Sequence, residues 1–307
     1  MRGDHTPATV YAAVAANAVI AVAKFTAAAV TGSSAMLSEG IHSAIDTGNE
    51  VLMLVGVRRS RRGPDAEHPF GYGKELYFWS LIVAVMLFGV GGGMSVWEGA
   101  HKILRPEPIE QPVWNYVVLG VALLAEGTSW EVARRALRKK HRRGALWRAM
   151  RASKDPTTFV VLGEDSAALG GIVIAGLGVA AGQLFGFALA DGIASVLIGV
   201  LLGATAFWLA VESKDLLLGE SASEEVIGKV RTIAEDEPGV VRVGEPFTMH
   251  LGPENILLNL LLEFDPDLGA ADVTATVERL EKRIRESVPE IRRIFIEASS
   301  LEGTRGA

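Results

Sequence analysis

The sequence predicts an α-helical membrane protein with six transmembrane helices and a C-terminal cytoplasmic α+β domain. Hydrophobic residues make up 49% of the 307 residues, and almost all of the long apolar runs come before residue 212. The remainder reads as an ordinary soluble sequence. Because a chain of this length has room for about two domains, we expect a membrane domain over 1–212 and a soluble domain over 213–307.

Six windows are long and apolar enough for transmembrane helices, since about 20 apolar residues cross the hydrocarbon core of a bilayer. Lys and Arg cluster after the second window, at 58–62, and after the fourth, at 134–151. Because basic loops stay in the cytoplasm, we expect both termini there. No cleavable leader is visible in Met1–Pro7, so we expect an uncleaved chain in a bacterial inner membrane. The windows are 9–31, 36–57, 76–100, 113–133, 157–183 and 187–211.

The residues after the sixth window predict a small domain with the element order αββαβ, of the ferredoxin-like or metallochaperone-like type. Two amphipathic helical patterns, the first opening at Ser223, alternate with three strand patterns. Helices covering one face of a sheet are the usual solution for such an order. From Leu216 onward the chain carries 18 acidic and 10 basic side chains, a net charge of −8. This charge argues against nucleic acid as a partner and suits cations.

The second window carries ionisable side chains at membrane depth. His42 and Asp46 are four residues apart, and Glu39 precedes His42 by three. Asn49 continues the spacing, so that all four share one face of a helix. A charged side chain at the centre of a span costs about 2.5–3.5 kcal/mol on insertion scales. A whole stripe of such groups therefore indicates a water-accessible path for ions.

Other windows add polar groups that could share a site with this stripe. Carboxylates and one imidazole facing a common interior suit a divalent cation: Zn²⁺ accepts both donor types, and a more oxygen-rich set suits Mn²⁺ or Fe²⁺. The chain has no cysteine, which excludes disulfides, thiolate zinc sites and cysteine nucleophiles. The further polar residues are Asn17, Lys24, Glu126, Glu164, Asp165 and Asp191.

Two stretches carry a family resemblance, TGSSAMLSEGIHSAIDTGNE (31–50) and HPFGYGKE (68–75). With the six predicted spans and the tail domain, they resemble the cation diffusion facilitator family of divalent-metal/proton antiporters. The stretch DPTTFVVLGEDSAALGG (155–171) resembles the zinc-transporter-nine branch of that family. The resemblance implies efflux of Zn²⁺, with Mn²⁺ or Fe²⁺ as the alternative, in exchange for protons. It implies alternating access and no prosthetic group.

The resemblance also implies a transport site made by residue pairs spaced by four on the second and fifth spans. The first pair is His42 and Asp46. In the second pair Asp165 matches the acidic member, but Val161 stands where zinc-selective relatives have histidine. Glu164 is the substitute ligand that the sequence offers. Selectivity for zinc is therefore left open.

Features outside the membrane follow from the same resemblance. An accessory metal site corresponds to Asp65 and His68, but Tyr72 stands where some bacterial relatives have a third ligand, histidine. Lys74 is expected to form an inter-subunit salt bridge. The tail domain is expected to dimerise the protein and to have a regulatory role, although the histidines with which relatives bind metal there are missing.

Three rival functions stay open. An intramembrane metal-dependent hydrolase would need three ligands, an open water position and a general base; the sequence has no HExxH motif, and we expect no enzyme activity. A non-transporting regulator would keep the fold and act through its tail. A passive cation channel would conduct without pH dependence.

Overall fold

The structure is a computed structural model that describes residues 7–106, 112–140, 150 and 154–298. Six long helical segments lie within these residues, each at a predicted window. The third segment is interrupted by a short π-helix, a feature that disturbs the regular hydrogen-bond ladder. The segments are α1 (Pro7–Thr31), α2 (Ser34–Ser60), α3 (Glu75–Met86) continued by the π-helix (Leu87–Gly92) and α4 (Gly93–Leu104), α5 (Pro112–Lys140), α6 (Pro156–Phe185) and α7 (Ala190–Leu218).

Four of these segments, among the described residues, are long and apolar enough to cross a membrane: α3–α4, α5, α6 and α7. The described part of α1 contributes a shorter apolar helix, Asn17–Thr31. α2 does not qualify despite its 27 residues, and its ionisable stripe is the physical reason. That all six segments span the membrane stays a prediction. Of the basic stretch predicted as a loop at 134–151, residues 134–140 lie at the end of α5, and 141–149 and 151 lie outside the described residues.

The helical unit comprises Met1–Arg58 and Leu76–Lys214, and its distribution of side chains is the reverse of a water-soluble core. Large apolar side chains such as Trp97, Leu124 and Phe207 are exposed on its surface, while Lys24 and Glu39 are fully buried. Lipid tails are as apolar as these exposed side chains, so such a surface is stable only within a bilayer.

Close helix packing in this unit depends on glycine. A Cβ atom added at Gly99 of α4 would lie 2.6 Å from the carbonyl oxygen of Gly192 in α7. The two backbones therefore touch, as small residues allow in membrane helix bundles. α6 begins where Asp155 caps it, with its carboxylate accepting from the backbone N–H of Thr157 at 3.1 Å.

The second unit comprises Arg59–Glu75 and Asp215–Ala307, so that the loop between α2 and α3 groups with the tail. Its order is αβββαβ, and the predicted order αββαβ is wrong by one strand. Residues 240–252 (VVRVGEPFTMHLG), which that predicted order counts as one strand, form two strands, because Pro246 has no N–H to donate to a ladder. The elements are α8 (Glu224–Glu235), β1 (Val240–Val243), β2 (Phe247–Gly252), β3 (Asn255–Phe264), α9 (Ala270–Ser287) and β4 (Ile291–Ala298).

β3 is the centre of the tail sheet. β1 and β2 both pair with it antiparallel, and β4 pairs with it in parallel. Every second side chain of β3 is buried under the helices, as the two-residue period of a strand requires. α8 opens with Ser223 as its cap, as predicted from the sequence. The buried core contains Ile256, Leu258, Leu260 and Leu262 of β3 with Val230, Ala234, Leu280 and Ile284 of the helices.

Candidate metal-binding site

The start of α2 is held in place by an aspartate from α7. Asp191 Oδ1 accepts a hydrogen bond from Ser33 Oγ at 2.5 Å, and Oδ2 accepts from the backbone N–H of Ser34 at 2.6 Å. A carboxylate at a helix N-terminus satisfies free N–H groups and complements the helix dipole. The structure thus assigns to Asp191 the positioning of α2 through the residues that follow Gly32, which has a positive φ of 67°.

His42 and Asp46 lie on α2 with their polar atoms largely unsatisfied. The His42 side chain is 1% exposed, and its Nδ1 is 3.5 Å from Oδ1 of Asp46. Among the described residues, neither ring nitrogen of His42 has a hydrogen-bond partner, nor does Asp46 Oδ1. Buried polar groups are normally paired, and each exception requires an explanation. Binding of a metal cation, which accepts lone pairs from these atoms, is such an explanation.

The two carboxylates of α6 point in different directions, because neighbouring helical residues diverge by about 100°. Glu164 is 7% exposed, and its Oε1 accepts a hydrogen bond from Asn49 Nδ2 of α2 at 2.6 Å. Asp165 is half-buried and accepts from Ser129 Oγ of α5 at 2.8 Å. The structure therefore brings Glu164 to α2 and Asp165 to α5.

The four predicted ligands do not form a closed coordination sphere. The carboxylates of Glu164, Glu126 and Asp165 and the ammonium of Lys24 are near enough to Asp46 to act on its charge. Within the described residues, no group of three or more His, Asp or Glu side chains is placed to hold a metal ion. The predicted ligands lie in two groups, one on α2 and one on α6, and the hydrogen bond from Asn49 to Glu164 connects these two helices.

Sequence reasoning identified Asn49 as a member of the stripe but missed its partner. Its side chain is fully buried, and its Oδ1 has no hydrogen-bond partner among the described residues. The amide nitrogen of Asn49 donates to Glu164, so the amide oxygen Oδ1 is left without a partner. Asn49 lies three residues after Asp46 on the same face of α2. The spacing on α2 gave this signal, whereas the roles of Ser129 and Asp191 could come only from the packing of different helices.

The predicted accessory site lies in the exposed loop of the tail unit. Asp65 Oδ1 accepts from the backbone N–H groups of His68 and Glu67 at 2.7 and 3.1 Å, and Tyr72 donates to Oδ2 at 2.6 Å. The hydroxyl of Tyr72 holds the pKa of the Asp65 carboxyl below its usual range. The carboxylate is thus satisfied by protein donors.

Lys74 lies in the same loop, and its Nζ is 3.7 Å from Sδ of Met249 in β2. Arg293 of β4 donates to the carbonyl of Pro69 at 3.2 Å and stacks over the ring of Phe70. These contacts explain why the loop groups with the tail. The inter-subunit salt bridge of Lys74 would need a second subunit and stays a prediction.

Comparison with known proteins identifies relatives over most of the chain. It is 33% identical over 258 residues to the proton-coupled zinc antiporter SLC30A9, mitochondrial, of Homo sapiens, covering 83% of this chain and 45% of the relative. It is 28% identical to metal tolerance protein C4 of Arabidopsis thaliana, covering 96% of this chain and 74% of the relative. The cation-efflux pump FieF of Shewanella oneidensis is 23% identical, with 89% and 87% covered.

The zinc antiporters are longer proteins, and the chain spans about half the length of these relatives, 45% of the human one and 55% of that from Xenopus laevis. The resemblance to the zinc-transporter-nine branch is nevertheless confirmed, since the identity to its members extends over most of this chain. The family model described as the cation efflux transmembrane domain matches residues 10–218. The chain is therefore an integral multi-pass membrane protein and belongs to the cation efflux family.

Proposed function

We propose that the chain exports a divalent cation, Zn²⁺, from the cytoplasm in exchange for protons. The observation that carries this proposal is the buried pair of His42 and Asp46, in which both ring nitrogens of His42 and Oδ1 of Asp46 have no hydrogen-bond partner among the described residues. Donors of this kind at membrane depth mark an ion path. The names of the relatives, which include a zinc antiporter and a cation-efflux pump, support the same substrate class.

The site takes the metal through four side chains: His42 and Asp46 from α2, and Glu164 and Asp165 from α6. Closing the two halves around the ion requires Glu164 to exchange its bond with Asn49 for the metal, and Asp165 to leave Ser129. A ligating imidazole must be neutral and a ligating carboxylate ionised, so that metal binding releases protons. Protons arriving from the opposite side then compete the metal away.

The transport cycle proceeds by alternating access, in which the helices expose the site first to one side and then to the other. All six long helices cross the membrane in this proposal, with both termini in the cytoplasm. The tail, with its ferredoxin-like layer of helices on a sheet, joins two copies into a homodimer, in which Lys74 forms its salt bridge. Some of the relatives are named as mitochondrial proteins, so a localisation experiment is needed to identify the membrane that contains this protein.

The donor set bears on which metal is carried. One imidazole and three carboxylates form an oxygen-rich set, because Val161 occupies the position of a second histidine. Such a set binds Zn²⁺ and also accepts Mn²⁺ or Fe²⁺ more readily than a site with two imidazoles. The proposed zinc preference is therefore expected to be modest.

Uptake of Zn²⁺ and Mn²⁺ into proteoliposomes under an imposed pH gradient tests the proposal. Gradient-dependent flux is expected from the wild type and is expected to be lost in Asp46→Ala and Asp165→Ala. Flux that does not depend on pH would identify a channel. No flux of either metal from well-folded protein would contradict transport and favour a regulator that acts through its tail.

A further inference from the structure

A second buried polar cluster lies on α2 beside the metal-binding pair, and the transport chemistry does not use it. Lys24 of α1 donates to Oε2 of Glu39 at 3.0 Å and to Oγ of Ser43 at 2.7 Å. Both charged side chains are completely buried, at 0% exposure. A lysine ammonium inside an apolar helical unit is an unusual feature that requires a function or a strong structural reason.

The pair is a poor structural bridge by its own geometry. Glu39 Oε1 has no hydrogen-bond partner among the described residues. Breaking a buried ion pair is costly, but replacing both partners by apolar residues is often neutral or stabilising. An ion pair that leaves one carboxylate oxygen unpaired is therefore not optimised for stability.

Glu39 also lies where α2 approaches α6. A Cβ atom added at Gly171 of α6 would lie 2.1 Å from Glu39 Oε1, so only glycine leaves room for this carboxylate. The ion pair thus fills the space between α1, α2 and α6. The ion pair joins α1 to α2, and α6 packs closely against its carboxylate at Gly171.

The level of this pair relative to the metal-binding residues is defined by α2. Glu39 precedes His42 by three residues, about 4.5 Å along the axis. The hydrogen bond between Asn49 and Glu164 lies three residues beyond Asp46, again about 4.5 Å away. The metal-binding pair is thus enclosed between two polar layers, and the Lys24–Glu39 layer lies toward the end at which α2 begins.

We propose that the Lys24–Glu39 ion pair is the closed gate on this side of the metal site. The Lys24 ammonium binds the Glu39 carboxylate, which is the next possible ligand along the path, and holds α1 and α2 together. A cation at His42 and Asp46 therefore cannot leave past Glu39. Separation of the pair opens the path and frees the Glu39 carboxylate for the departing cation. The ion served by this gate rests on the proposed transport function, but the gate itself is a property of the helical unit.

A single cysteine reports the gate without requiring transport. The chain has no cysteine, so Asp46→Cys provides one thiol on the far side of the ion pair. A membrane-impermeant methanethiosulfonate is added to vesicles from the side at which α2 begins, and the labelling rate is measured with and without Lys24→Met. The gate predicts labelling at least about tenfold faster when Lys24 is replaced, within the usual range of coupling between two sites.

Two further variants make the result decisive. Lys102→Met removes another buried lysine, whose ammonium donates to the carbonyl of Gly32 at 2.7 Å, and it should leave the labelling rate unchanged. Lys24→Met combined with Glu39→Gln removes both charges of the pair, so neither partner is left as an unpaired charge, and it should label as fast as Lys24→Met alone. Equal labelling of the double variant and the intact pair would overturn the gate.

Zinc leak gives a second readout in the otherwise wild-type chain. Lys24→Met is expected to allow several-fold more zinc flux down its own gradient when no pH gradient is applied, whereas the wild type stays dependent on protons. If the wild type moves no metal, the transport proposal fails while the labelling experiment still tests the gate. If transport occurs and Lys24→Met neither labels faster nor leaks, the gate proposal alone fails.

Discussion

Two histidine–aspartate pairs in this protein have nearly the same separation and opposite surroundings. Nδ1 of His42 is 3.5 Å from Oδ1 of Asp46, and Nδ1 of His68 is 3.6 Å from Oδ1 of Asp65. The pair on α2 is 1% and 14% exposed, whereas the pair in the loop is 50% and 49% exposed. Similar distances between the same groups therefore do not identify a metal site.

The difference lies in how the carboxylates are satisfied. Asp65 receives two backbone N–H groups and the hydroxyl of Tyr72, while water is available to His68. Asp46 Oδ1 and both nitrogens of His42 have no partner among the described residues. An unpaired buried donor set costs free energy until a ligand arrives. The proposal therefore places the metal at the buried pair rather than at the loop pair.

The largest expected effect follows from removing one ligand of the buried pair. Asp46→Asn should weaken zinc binding by at least about tenfold, since even the partners of metal ligands cost 10–100-fold when mutated. The matched control is Asp65→Asn in the loop, which should change the affinity little. Titration of the detergent-solubilised protein with zinc against a fluorescent chelator measures both. Equal losses in the two variants would remove the distinction between the pairs.

The next effect concerns the half of the site on α6. Glu164→Gln and Asp165→Asn should each weaken zinc binding several-fold, because in the proposed site both carboxylates exchange their bonds to Asn49 and Ser129 for the metal. The same chelator competition measures the two variants. An unchanged affinity in Glu164→Gln would reduce Glu164 to a packing partner of Asn49. An unchanged affinity in Asp165→Asn would leave Asp165 bound to Ser129 throughout the cycle.

A third variant sharpens the buried site for zinc. Val161→His places an imidazole one helical turn before Asp165, and nitrogen donors favour Zn²⁺ over Mn²⁺. The ratio of zinc to manganese affinity should rise by about tenfold, in the range expected for one well-placed ligand. Val161→Leu, which adds bulk without a donor, should leave the ratio unchanged. A ratio that does not rise in Val161→His would place that residue outside the site.

The smallest effect belongs to the loop pair. Tyr72→Phe removes the hydrogen bond that is the main cause of the lowered pKa of Asp65, so this pKa should rise toward its ordinary value. A lowered pKa means that the stabilisation is present above the ordinary pKa of aspartate and is lost as the pH falls through the lowered value. Carboxyl-carbon NMR of labelled aspartate follows the titration. The control is Tyr116→Phe, which removes a tyrosine hydroxyl that donates to Gln183. It should leave the pKa of Asp65 unchanged.

The helices and the polar face of α2 could be predicted because their signals are local. Hydrophobic windows of spanning length gave the long helices, and spacings of three and four residues placed His42, Asp46 and Asn49 on one face. The tail was predicted as helices on a sheet, but the break at Pro246 that divides one strand into two was missed. A proline inside an apparent strand was the available signal.

Glu164 and Asp165 of α6 were named as ligands from the sequence, but their partners could not be predicted because these depend on how the helices pack. The sequence favoured Asp165 over Glu164, yet the bond between Asn49 and Glu164 is a contact across 115 positions. The Asp191 cap on Ser34 is of the same kind. No periodicity within one helix states which face of another helix it will meet.

Zinc K-edge X-ray absorption of the protein loaded with one equivalent of Zn²⁺ distinguishes the buried pair from the loop pair. We expect one imidazole with oxygen ligands in the wild type, and loss of the imidazole signal in His42→Ala but not in His68→Ala. An imidazole signal that persists in His42→Ala and disappears in His68→Ala would place the metal in the loop and contradict the account.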